Sequence, residues 1–170
     1  MPGTNAIPFS PQSGLRISAA GLGRLMQLLL NGGEIDGVRL LQSASVSMML
    51  QEQWHVDAGR HNGDNYHGLF NAWGLGAQHF LDQGAPGQGD QLVTGGGFSG
   101  WGHLGFAYGL SAAFVFDQAR RIGVVYLIGG VGTDPDKSPG RHSTLNVWEE
   151  KVLDALYRRA ILGPAAPAGQ

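Results

Sequence analysis

Histidine and serine side chains are this chain's candidates for acid–base or nucleophilic chemistry, since it holds six histidines and no cysteine. His103 has the most distinctive surroundings, because it lies in the glycine-flanked run Trp101–Phe106 (WGHLGF), which predicts a β-strand. An imidazole can give or take a proton near neutral pH, so His103 is a candidate for acid–base chemistry. The residues alone leave a second interpretation open, a half-buried strand histidine whose hydrogen bonds are satisfied within the fold.

Ser99 is the serine nearest to His103 in the sequence. It does not form a nucleophile elbow, because Trp101 stands where the final glycine should be. The spacing of Ser99, His103 and Asp117 gives no reason to expect a catalytic triad. The run Gly95–Gly100 formally fits the dinucleotide-binding glycine pattern, but a predicted strand follows it where that motif requires a helix. We therefore expect a loop beside a cleft, with no dinucleotide cofactor.

Three further histidines, His55, His61 and His67, lie six residues apart in a polar stretch. Metal ligation needs ring nitrogens that converge and are held by supporting hydrogen bonds. With no cysteine and no closely spaced histidine pair, the stretch is better interpreted as a solvated loop. We predict no metal site and no cofactor.

The predicted elements form one α+β domain over residues 15–161, an antiparallel sheet flanked by helices. It follows an extended leading segment, 1–14, with three prolines, and precedes a flexible tail, 162–170. Apolar spacings of three and four behind Ser18, a predicted N-cap, indicate a helix to about Leu30. The other predicted elements are a short helix capped by Ser43, a polar loop over 51–71, strands over 72–81, 101–107, 109–117 and 122–128, and a helix from about 145 to 161.

The charge and hydropathy of the chain exclude several classes of partner. The formal net charge is −2, and no Lys/Arg cluster is larger than Arg120–Arg121 or Arg158–Arg159. A nucleic acid or an anionic membrane therefore finds no basic surface to bind. No run approaches the roughly 18 apolar residues that span a bilayer, so we predict no membrane span.

Three motifs in a fixed order carry a family resemblance. They are the glycine-led segment 13–33 with its ending LLLNGG, the run Trp73–Gly76 (WGLG), and Trp101–Phe106 with its histidine-x-glycine. The strand-like run Phe114–Asp117 and the apolar run Gly123–Ile128 follow at matching distances. Together they resemble the class C β-lactamases and penicillin-binding serine hydrolases, a family that includes many esterases and D-amino-acid peptidases.

The resemblance implies the C-terminal portion of the β-lactamase/penicillin-binding transpeptidase-like fold and a small acyl substrate. His103, Leu104 and Gly105 would form one wall of the active site, and the backbone N–H of Phe106 would donate to the oxyanion hole. Leu104 stands where the family often has a hydroxyl residue, which favours an ester or peptide substrate over a β-lactam. The family also implies a periplasmic or other extracytoplasmic location in bacteria.

The family's other two motifs are missing from this chain. Its nucleophile lies in serine-x-x-lysine, but Asp134 and Trp148 precede the two lysines, Lys137 and Lys151, by three residues. No tyrosine is followed two places later by asparagine or serine. An activated serine needs a base and an oxyanion hole, so we expect the chain to be inactive alone.

Two other functions stay open. One is a non-catalytic binding or dimerisation module derived from the family, because a sheet that lacks its N-terminal part would leave an uncovered edge. In that case the partners are the missing part of the catalytic domain or a second copy of the chain. The other is a small independent hydrolase that uses Ser99 and His103.

Overall fold

The structure, a computed structural model, describes residues 15–57, 59–132 and 137–162, without the side chains of 161 and 162. The predicted leading segment 1–14 and the tail from 163 lie outside the described residues. The helices are α1 (Ala19–Leu30), α2 (Ser43–Met49) and α3 (Val147–Leu162). The strands are β1 (Glu34–Ile35), β2 (Val38–Arg39), β3 (Trp54–His55), β4 (Ala72–Trp73), β5 (Gln78–Phe80), β6 (Gly84–Ala85), β7 (Gln88–Gly89), β8 (Gly100–Ala107), β9 (Leu110–Asp117) and β10 (Ile122–Ile128).

Six strands form one antiparallel sheet in the order β10-β9-β8-β5-β4-β3, and β1–β2 and β6–β7 are separate hairpins. The three long strands β8, β9 and β10 follow one another as neighbours, which confirms the strands predicted over 101–107, 109–117 and 122–128. The single strand predicted over 72–81 is instead the hairpin β4–β5. Its turn includes Gly76 at φ 75°, a left-handed conformation that glycine adopts without strain.

The two faces of the sheet are covered by different helices. Side chains alternate along β9, so Ala113 and Val115 enter one apolar cluster while Phe114 and Phe116 enter another. Helix α3 covers the first face with Leu153 and Tyr157, and α1 and α2 cover the second with Met26, Leu29 and Val46. The predicted α+β arrangement, an antiparallel sheet flanked by helices, is therefore observed.

Helix α1 begins as the sequence predicts. The Ser18 hydroxyl oxygen accepts a hydrogen bond from the Gly21 N–H, 3.1 Å away, which satisfies one of the free N–H groups at the helix start. The apolar spacings in the sequence predict a buried stripe of Leu22, Leu25, Met26 and Leu29. The residues actually buried are Met26, Leu28 and Leu29, while Leu25 is exposed. Ser43 does not cap α2; it is the first helical residue, and its hydroxyl donates to the Gly32 carbonyl oxygen at 3.1 Å.

Helix α3 starts two residues later than predicted and carries Glu149 and Glu150 in its first turn. Both carboxylates are buried. None of the helices in the described part of the chain is long and apolar enough to cross a membrane.

Candidate functional site

His103 lies on β8 opposite Phe114 of β9, and its side chain is exposed. Its Nδ1 is 2.6 Å from the Leu104 carbonyl oxygen, and its ring meets the Trp73 ring edge-on at 5.5 Å. Alternation along the strand puts His103 and Gly105 on one face, while Leu104 and Phe106 lie on the face that α3 covers. Of the three predicted wall residues, Leu104 therefore points its side chain to the face opposite His103 and Gly105.

The β8 segment that contains His103 extends beyond its neighbour β5. The pairing between the two strands covers Gly100–Gly102 only, opposite Gln78–Phe80. Residues 103–107 pair with β9 on one side and with no described strand on the other. This segment is thus an open sheet edge, at which an extended chain could add main-chain hydrogen bonds.

A row of aromatic rings links this edge to the loop that precedes β4. Tyr66 and Phe70 meet at 5.2 Å, Phe70 and Trp73 at 5.6 Å, and Trp73 in turn contacts His103. Contacts of this kind fix ring orientations beyond what burial alone does. The row holds the loop beside the end of β8.

A cavity of about 440 Å³ lies on the α3 face of the sheet, between the end of β8 and the start of α3. The aromatic and aliphatic side chains that line it are Tyr66, Leu69, Phe70, Leu104, Phe106, Ala112 and Leu145. Its polar lining comes from Tyr126, Thr144, Asn146 and Glu149. An apolar pocket of this size with a few polar groups at one end is typical of small-molecule sites.

Glu149 is the centre of the polar end and is only 6% exposed. Its Oε1 accepts a hydrogen bond from the Ser111 hydroxyl at 2.6 Å. Its Oε2 accepts two bonds from Asn146, one from the backbone N–H and one from the side-chain amide, both at 3.0 Å. Three hydrogen bonds hold the carboxylate in place, because a buried charge without partners would be costly.

Tyr126 extends this network, since its hydroxyl lies 3.3 Å from the Ser111 hydroxyl. Burial raises the pKa of the Tyr126 hydroxyl to about 12; the bond with Ser111 opposes the rise, and the Glu149 carboxylate adds to it. The phenol is therefore neutral at physiological pH. Because Ser111 gives its hydrogen to Glu149, Tyr126 must be the donor to Ser111.

Ser99 lies far from His103 and has a structural partner. Its hydroxyl donates to the Phe80 carbonyl oxygen at 3.2 Å. Four residues along an extended strand separate Ser99 from His103 by roughly 13 Å. Asp117 accepts hydrogen bonds from Arg120 at 2.9 and 3.1 Å. The geometry gives no support to a triad of these three residues.

The histidines of the polar loop do not converge on a metal site. His55 contacts Glu52 at 3.3 Å, and both side chains are largely exposed. His61 and His67 are exposed as well. No group of three or more acidic, histidine or cysteine side chains in the described ranges is arranged to hold a metal ion.

Sequence reasoning missed the polar end of the cavity, although part of it carries a signal. Asn146 followed three residues later by Glu149, just before an apolar helix, matches the capping-box pattern. Ser111 carried no such signal, because a serine in a strand becomes notable only once the fold brings it to Glu149.

Comparison with known proteins adds no relative to this picture. No family model, curated protein or solved structure matches the chain. The functional conclusion therefore rests on the chain's own motifs, contacts and electrostatics.

Proposed function

We propose that this chain is the C-terminal part of the catalytic domain of a β-lactamase-related serine hydrolase. The observation that carries the proposal is the position of the His103-Leu104-Gly105 motif on the open edge of β8. An exposed imidazole there, beside an edge with free main-chain groups, suits a strand that forms one side of a substrate cleft. The sheet with helices on both faces also agrees with the C-terminal portion of that fold.

The reaction of the whole domain would be acyl transfer from a small ester, amide or β-lactam to a serine, followed by hydrolysis. The backbone N–H of Phe106 would donate to the oxyanion of the tetrahedral intermediate. His103 would hydrogen-bond the substrate or the groups that activate the serine. Leu104 offers no hydroxyl where the family often has one to recognise a β-lactam carboxylate, which favours an ester or peptide substrate.

A covalent fluorophosphonate probe tests whether the nucleophile lies outside this chain. Such probes label an activated serine, and this chain contains no serine-x-x-lysine motif. We expect no labelling of the purified chain under conditions that label a control serine esterase completely. Stoichiometric labelling would overturn the assignment, and loss of that labelling in Ser99→Ala would establish the small independent hydrolase instead.

Expression of this chain together with the coding sequence upstream of Met1 tests the hydrolase proposal itself. We expect the longer protein to hydrolyse p-nitrophenyl esters and its serine-x-x-lysine serine to be essential. His103→Ala should lower kcat/KM about 100-fold, the scale of a lost acid–base or oxyanion group. The matched variant His61→Ala should retain full activity, because His61 is an exposed loop residue. An upstream region without a serine-x-x-lysine motif would contradict the proposal.

A pairing module is the second candidate function, and the sheet topology favours it. Strand β10 ends the sheet and has a neighbour, β9, on one side only among the described strands. Its Leu127 is 38% exposed, so the edge is not protected by a charged side chain at that point. Such an edge could pair with the rest of a catalytic domain or with a second copy of this chain.

A further inference from the structure

The hydroxyl hydrogens of Ser111 and Tyr126, at the polar end of the cavity, are both donated within the protein. The Ser111 hydroxyl donates to Glu149, and the Tyr126 hydroxyl donates to Ser111. The side-chain amide and the backbone N–H of Asn146 both point to Glu149. Glu149, as a carboxylate, has lone pairs and no hydrogen to give.

The Asn146 side chain leaves one buried acceptor unused. Its Nδ2 must face the Glu149 carboxylate, because the reverse orientation would place two oxygens together. Its Oδ1 then has no hydrogen-bond partner within the described residues, although Asn146 is only 3% exposed. An unpaired buried carbonyl oxygen is unfavourable, so the polar end is short of a hydrogen-bond donor at this oxygen.

Among the described residues that line the cavity there is no lysine, arginine or histidine, so the Glu149 carboxylate is their only formal charge. The polar end thus combines a negative charge with hydrogen-bond acceptors. The opposite side is apolar and partly aromatic, with Tyr66 and Phe70. Aromatic faces attract cations as well as apolar groups.

We propose that this cavity is a binding site for a small primary amine, held as an ammonium ion beside Glu149 and Asn146 with an aromatic or aliphatic body against Leu104 and Phe106. The site belongs to the chain as it stands and does not depend on the proposed hydrolase function. A failure of the esterase experiment would therefore leave it intact, and the reverse also holds.

Ligand-observed NMR titration with 2-phenylethylammonium chloride tests the proposal on the purified chain. We expect it to bind about tenfold more tightly than 2-phenylethanol, which has the same body without the charge. We expect 3-phenylpropionate not to bind, since its carboxylate would face Glu149. Amide chemical shifts should change at 104–106 and 144–149. Equal affinity for amine and alcohol, or shift changes confined to other parts of the chain, would overturn the proposal.

Two variants test the site, one at Glu149 on α3 and one at Leu104 on β8. Glu149→Gln should weaken amine binding about tenfold or more, while Glu34→Gln, an exposed carboxylate outside the cavity, should leave it unchanged. Because Glu149 also holds the start of α3, its substitution could disturb the helix. A second variant therefore leaves Glu149 and its hydrogen bonds unchanged. Leu104→Trp fills the cavity from the sheet side and should abolish binding, whereas Leu127→Trp on β10 should not. Undiminished amine binding by folded Leu104→Trp would exclude this cavity as the site.

Discussion

At the scale of single residues, Glu149 joins local helix formation to long-range packing. Its contact with the Asn146 N–H is the local half of a capping box at the start of α3. Its bond with Ser111 reaches a strand 38 residues earlier in the sequence. The local half could be predicted from the sequence, and the long-range half could not, because it depends on how the helix packs on the sheet.

The pH dependence of the protein's stability tests whether Tyr126 is buried in this network. Its pKa in the folded protein, about 12, lies above the ordinary tyrosine value of 10.0, so folding favours the protonated phenol. The corresponding stability is complete below about pH 10 and is lost as the pH rises towards 12, and it amounts to at most about 3 kcal/mol. We expect the free energy of unfolding in urea to fall less steeply with pH for Tyr126→Phe than for wild type between pH 10 and about 12.

Tyr157→Phe is a control variant for that experiment, because burial also raises the pKa of Tyr157. Arg120 contacts the Tyr157 hydroxyl and opposes the rise, so the variant should change the pH slope less than Tyr126→Phe. Identical pH profiles for wild type and Tyr126→Phe would show that Tyr126 is not buried against Glu149.

At the scale of elements, the bounds of a helix or strand are predicted best where the apolar periodicity coincides with residues that start or end the element. Helix α1 has both, with Ser18 before it and two glycines after it, and its bounds were correct. The two-residue strands, such as β4, are too short to show any alternation. The pair β4–β5 was therefore predicted as one strand, although Gly74 and Gly76 mark its turn.

Substitution by alanine should have opposite effects at two glycines, one inside α1 and one just after it. Gly33 follows the helix at φ 94°, and an added Cβ would collide with the Leu41 carbonyl oxygen. We expect Gly33→Ala to destabilise the fold by about 2 kcal/mol or more, through backbone strain and the shift of Leu41. Gly23 lies inside the helix with nothing within 4 Å of an added Cβ, so Gly23→Ala should stabilise by roughly 0.5 to 1 kcal/mol. Urea unfolding of both variants measures the difference, and a stabilising Gly33→Ala would contradict the observed turn.

At the scale of the whole molecule, the candidate site joins parts that are distant in sequence. The cavity brings together the loop with Tyr66, the end of β8 with Leu104, and the start of α3 with Glu149. Of these three parts, the sequence predicted only the end of β8, because histidine-x-glycine is a local pattern. The motif grouped Leu104 with His103 and Gly105, whereas strand alternation points the Leu104 side chain to the opposite face of the sheet.

The exposed edge of β10 leads to the last prediction, which concerns self-association. An unpaired strand with an exposed apolar side chain favours edge-to-edge pairing. We expect light scattering after size exclusion to show a mass that rises with concentration above the monomer's 18.0 kDa. Leu127→Lys should restore the monomer, because a charge on the edge opposes pairing, while Leu25→Lys, on an exposed position of α1, should not. A chain that remains monomeric at all concentrations would contradict the pairing module and leave the edge available only to the rest of a catalytic domain.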